Sequence, residues 1–165
     1  MDAIYKRRSY HDGFSGTAKI SDDDIEKIVK AGMNAPSAMN TQPWEFVIVN
    51  DPDKLAELAN LTPGTRAVAT ASQTILLCAD SETVGYQALN IGMAAQNMLL
   101  AAADLNIASL TMGIWPNDEV QTTLRKIINL PESTTAYLML AFGYVAETLP
   151  PNDRWLPERI HYNVF

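Results

Sequence analysis

The stretch from residue 82 to 105, ETVGYQALNIGMAAQNMLLAAADL, constrains the fold more than any other, because its apolar residues go almost all the way round a helix. A helix of that kind belongs at the centre of a core or across a subunit interface. Gln87, Asn90, Gln96 and Asn97 interrupt the run, which argues against a membrane span. Amides so placed read as partners for buried polar groups rather than as chemistry.

Around that helix the pattern alternates helix and strand. Helices are predicted over 2–8, from Ser21 to Asn34, from Asn50-Asp51-Pro52 to about Leu61, and over 117–129; strands over 44–49, 74–79, 107–112 and 136–144. Ser21 and Asp24 stand at capping-box spacing, and Ile25, Ile28, Val29 and Gly32 or Met33 form the apolar face behind them. Residues 62–72 begin as a turn and pass into a short helix. The expectation is an α/β or α+β arrangement, a sheet with helices on both faces, in one domain over 1–165. The tail LPPNDRWLPERIHYNVF, with three prolines and several large aromatics, is too apolar for a free linker and is expected to wrap over something.

Composition narrows the function by exclusion. A net charge of -7 disfavours nucleic-acid binding. Cys78, the one cysteine, sits in the buried run TILLCAD and reads as a packed thiol in a protein of a reducing cytoplasm, and no apolar leader precedes it. Nucleophile elbows, phosphate loops and metal-spaced His/Cys clusters are missing, and two histidines leave little for a metal site. An enzyme with this inventory would rely on a cofactor for the hard step. The densest basic spot is Lys6-Arg7-Arg8-Ser9, which suits phosphate but also suits a solvated helix end.

The loop APSAMNTQPW at 35–44 is long for a helix-to-strand link. Taken with RRS at 7–9, QALNIGMAAQNMLLAA, and LRKIINLPESTTAYLMLAFGYV, it resembles the nitroreductase family of flavoproteins over almost the whole chain. The resemblance implies an α+β fold: a mixed central sheet flanked by helices, a long central interface helix, and a C-terminal tail wrapping the partner subunit. It implies a homodimer with FMN at the interface, taking a hydride from NADH or NADPH and passing electrons through flavin N5 to nitroaromatics, quinones or related small acceptors by a ping-pong route.

By the same resemblance Arg7, Arg8, Ser9 and Arg154 bind the flavin phosphate, and His11 stands where a cation usually approaches the pyrimidine edge. Pro36, Ser37 and Ala38 contact the ring from the partner, Asn40 helps hold that loop, and Arg66 supplies charge near the ring. The backbone at Met112 and Gly113 faces N5. At 165 residues the chain is short for the family, which implies a more open pocket. The alternatives are a flavin carrier without turnover, which His11 and a missing cap would favour, and a specialised member that dehalogenates or breaks down its ligand.

Overall fold

The computed structural model describes residues 2–15, 18–80 and 84–165. The chain runs α1 (Asp2–Lys6), α2 (Asp22–Met33), β1 (Glu45–Val49), α3 (Pro52–Ala59), β2 (Gln73–Asp80), α4 (Val84–Asp104), β3 (Ala108–Gly113), α5 (Asp118–Ile128) and β4 (Thr134–Gly143). Short 3-10 turns lie at Ala38–Asn40, Pro63–Thr70 and Pro157–Arg159. The predicted start of α4 at Glu82 falls outside the described residues.

Helix ends follow local chemistry. The Ser21 hydroxyl accepts from the Asp24 amide at 3.2 Å and donates to the Asp24 carboxylate at 2.9 Å. In a full capping box that carboxylate would reach the Ser21 amide; Asp is a methylene shorter than Glu and stops at the hydroxyl. Asp51 accepts from the Lys54 amide at 3.0 Å and Asn117 from the Val120 amide at 3.1 Å. Asn129, at φ 54°, closes α5 in the left-handed region. Of the two candidates at the end of the α2 face, Gly32 is buried and Met33 exposed. An added Cβ on Gly32 would lie 2.8 Å from Met98 of α4, so the glycine sets how closely α2 and α4 pack.

The sheet order is β1-β2-β4-β3, and each neighbouring pair is antiparallel. The parallel component of the anticipated mixed sheet is one bridge, Ser9 to Ser109. That bridge also explains why α1 stops at Lys6 instead of running to Arg8: the following residues lie along β3. Helices cover both faces. Ile75, Leu77, Tyr137 and Phe142 pack with α2 and α4 on one side, while Leu76, Cys78, Met112 and Met139 pack with α3, the 63–70 turn and α5 on the other.

Cys78 is fully buried, and burial, helped by the negative charge of Glu45, pushes its thiol up to about 12. It is a core residue, as its sequence context implies. Trp44 is likewise buried but precedes β1 rather than opening it. Residues 153–165 are exposed throughout, with Phe165 at 106%. Only the root of the tail, residues 149–152, meets α1 and Tyr10; beyond it the tail is not buried against the described residues of its own chain. No helix among the described residues is long and apolar enough to cross a membrane.

Candidate functional site

A cavity of about 290 Å³ lies between the segment after α1, the C-terminal end of α4 and residues 145–151. Its wall includes Lys6, Arg7 and Arg8, and among the described residues no Asp or Glu lines it. Arg7 Nη1 sits 3.5 Å from the Ser9 hydroxyl. Arg8 donates to the Pro150 carbonyl, the Asn152 backbone N–H donates to the Tyr5 carbonyl at 3.1 Å, and the Leu149 backbone N–H donates to the Tyr10 hydroxyl at 3.2 Å. Together these bonds tie the root of the tail to α1. The Asn152 side-chain oxygen then accepts from Arg8 Nε and Arg154 Nη2, each at 3.1 Å; its amide is oriented this way because the nitrogen there would face only donors.

Among the described residues the ion pairs are Lys6 with Asp2, Lys27 with Asp24 and Lys30 with Glu26, none of which involves Arg7, Arg8 or Arg154. Cations gathered without a carboxylate partner, beside a hydroxyl, make a receptor for a multivalent anion.

The cavity opens onto β3, an edge strand. Ile114 donates to the Tyr137 carbonyl of β4 at 3.0 Å, and the Ser109 carbonyl accepts from Tyr10 on the opposite side at 3.1 Å. Alternation along an antiparallel ladder therefore turns the N–H groups of Thr111 and Gly113 toward the open edge. An added Cβ at Gly113 would meet nothing within 4 Å. Met112, named with Gly113 in the sequence, points the other way: its side chain is in the core and its backbone faces β4. From Ser109 to Gly113 is roughly 13 Å at the rise of an antiparallel strand, so an anion receptor and a free backbone donor stand that far apart along one strand.

His11 is exposed in the turn after Tyr10, and Arg66 is exposed on the Pro63–Thr70 turn. The Phe14 amide donates to Thr70 Oγ1 at 2.9 Å and so brings these two segments together. Gly13, at φ +99°, is required there, since a Cβ would lie 2.6 Å from Thr70 Oγ1.

The loop after α2 is braced from within and from α4. Asn90 accepts from the Ala38 amide at 3.0 Å, and the Ser37 hydroxyl accepts from the Gln42 amide at 3.0 Å. Asn40, expected to hold the loop, is exposed at φ 55°, with Met39 and Gln42 also at positive φ. The brace is Asn90, whose short side chain reaches the loop from a buried position on the helix. Asn97 does the same for α2, donating to the Ala31 carbonyl at 3.1 Å, whereas Gln96 is exposed.

Pro36, Ser37 and Ala38 do not meet the basic cavity within one chain. Asn90 anchors the loop in the first part of α4 and Ala103 lines the cavity near its end, about 20 Å away at 1.5 Å per residue. Asn90, Tyr10 and Asn152 are the residues that sequence reading did not assign to the site. Asn152 had a faint signal in its position two residues before Arg154.

An anion receptor continuous with a strand edge, in a sheet covered on both faces, suits a ligand that carries a phosphate and extends along the strand. Comparison with known proteins agrees. The description of the Nitroreductase family matches residues 4–82 and 65–144, and the chain belongs to that family. It is 36% identical, over 98% of its length and 95% of the relative's, to an Archaeoglobus fulgidus protein named "Putative NADH dehydrogenase/NAD(P)H nitroreductase". A Bacteroides thetaiotaomicron crystal structure of the same name superposes with a TM-score of 0.93 at 32% identity, covering 99% of this chain and 96% of that one. A "putative nitroreductase" from Desulfovibrio desulfuricans in complex with FMN superposes with a TM-score of 0.80 at 27% identity, over 99% and 96%. Membership supports an oxidoreductase.

Proposed function

We propose that the chain, as one domain over 1–165, is an FMN-dependent NAD(P)H oxidoreductase that works as a homodimer, with each site built from two copies. The observation that carries this reading is the placement of the two half-sites at opposite ends of α4. A braced loop with small residues at Ser37 and Ala38 and a cationic cavity some 20 Å away are joined only if a second copy reverses the direction of α4. An apolar stripe supports the same reading: Tyr86, Leu89 and Met93 are exposed at helical spacing on α4, with Ile4 and Tyr5 exposed on α1. The exposed aromatic tail would then close over the partner.

The donor set fits the cofactor. Arg7, Arg8, Ser9 and Arg154 would hold the phosphate, and the cavity lies at the small end of the roughly 300–1,000 Å³ of ligand sites, so the ring would extend outside it along β3. Flavin, when bound, supplies hydride acceptance and donation. Gly113 offers its outward N–H to the ring edge, His11 and Arg66 approach the polar end, and Pro36 to Ala38 of the partner, held by Asn90 and with Asn40 beside them, cover one face. The open neighbourhood of Gly113 suits planar acceptors such as nitroaromatics or quinones.

Stopped-flow mixing of the FMN-loaded protein with NADH or NADPH under nitrogen tests the proposal. Flavin absorbance should bleach with at least one donor and recover on adding a nitroaromatic or quinone. Persistent colour with both donors would overturn the NAD(P)H oxidoreductase reading, and a monomer by sedimentation at micromolar concentration would remove the shared site.

A further inference from the structure

Arg8 and Arg154 come from opposite ends of the sequence, yet both donate to one atom, the side-chain oxygen of Asn152. The backbone that carries this side chain is fixed, because the Asn152 backbone N–H donates to the Tyr5 carbonyl of α1. Arg8 is further fixed by the Pro150 carbonyl. Two guanidiniums repel, and a neutral oxygen orients them without cancelling their charge. A carboxylate in the same place would orient them as well but would cancel one of their two charges.

We propose that Asn152 is a positioning residue: its side-chain oxygen presets Arg8 and Arg154 as a clamp for a phosphate dianion while leaving both cations free to bind it. The proposal rests on the flavin-phosphate reading above and adds to it the residue that shapes the anion site. It also makes an unusual demand on substitutions. The isosteric change Asn152→Asp, which keeps shape and acceptor, should harm phosphate binding more than truncation to Ala.

The test measures FMN, riboflavin and inorganic phosphate binding to the intact protein and to N152D and N152A. N152D should weaken FMN by about tenfold or more, the scale of one charge-assisted hydrogen bond, and N152A by only about threefold. Riboflavin, which lacks the phosphate, should stay within about twofold in all three proteins. The rise in melting temperature that inorganic phosphate gives the wild type should be absent in N152D. A purely structural Asn152 predicts the reverse order, with N152A worse than N152D and riboflavin falling alongside FMN, and that order would overturn the proposal.

A double-mutant cycle keeps the question open to refutation if N152D folds poorly. N152A should cost FMN binding little in the R154Q background, and fully additive losses would count against the clamp. A wild-type protein that binds FMN no better than riboflavin would remove the phosphate reading and Asn152's role together. Normal FMN preference with the reversed order of variants would remove Asn152's role alone.

Discussion

β2 and β3 belong to one antiparallel sheet and are both apolar in sequence, but they occupy opposite situations. β2 sits between β1 and β4, and all its residues except Asp80 are buried. Its backbone is taken up by pairing on both sides, and even its cysteine is inert. β3 is paired only to β4, and its burial alternates at Thr111 and Gly113. The central strand commits its backbone to pairing on both sides, whereas the edge strand leaves backbone donors facing outward beside a cationic cavity. Reactivity in this fold is therefore expected where pairing stops.

Substitutions can break that contrast. The largest effect is expected at β2: Leu76→Ala, at a fully buried position, should lower unfolding free energy by about 2–5 kcal/mol in urea titration. Within β3 a proline scan should separate inward from outward N–H groups. Met112→Pro removes a ladder bond and a core side chain and should cost about 3 kcal/mol or more, while Gly113→Pro should cost about 1 kcal/mol or less and still weaken flavin binding. Equal destabilisation by the two prolines would mean that the Gly113 N–H is not free.

At the cavity, Arg8→Ala should reduce FMN affinity by about 1.5–3 kcal/mol in isothermal titration with little change in stability, because Arg8 is half-buried and serves an anion more than a core. The smallest effect at neutral pH belongs to Cys78. Its thiol is raised from 9.0 to about 12 in the folded chain, so the native state keeps a proton that the unfolded state releases. Stability from this source is complete below pH 9 and declines as pH rises from 9 toward about 12. Cys78→Ala should flatten that alkaline slope in denaturation curves taken at a series of pH values.

Much of the fold is legible in the chain because its signals are local. Ser21, Asp51 and Asn117 cap helices through bonds three residues long, and strands declare themselves by apolar runs bounded by polar turns. Reading failed where a distant segment intervened. α1 ends early because residues 7–10 are drawn along β3; the 62–72 segment, by contrast, does pass from a turn into a short helix, and its Thr70 receives the Phe14 amide. The loop at 35–44 is recognisable as special from its motif, but the part of its brace that comes from Asn90 lies on another element.

The sequence by itself determined the order of elements, the cap positions, the apolar central helix and the family to which the chain belongs, since each depends on neighbours within a few residues or on motif spacing. Only the tertiary structure decided that Gly113 and not Met112 presents a free N–H, that Arg8 and Arg154 share one oxygen, and that the loop and the cavity stand at opposite ends of α4. Those facts depend on strand order and on contacts between remote segments. Such pairings are selected by the packing of the whole core, which no local window of residues contains.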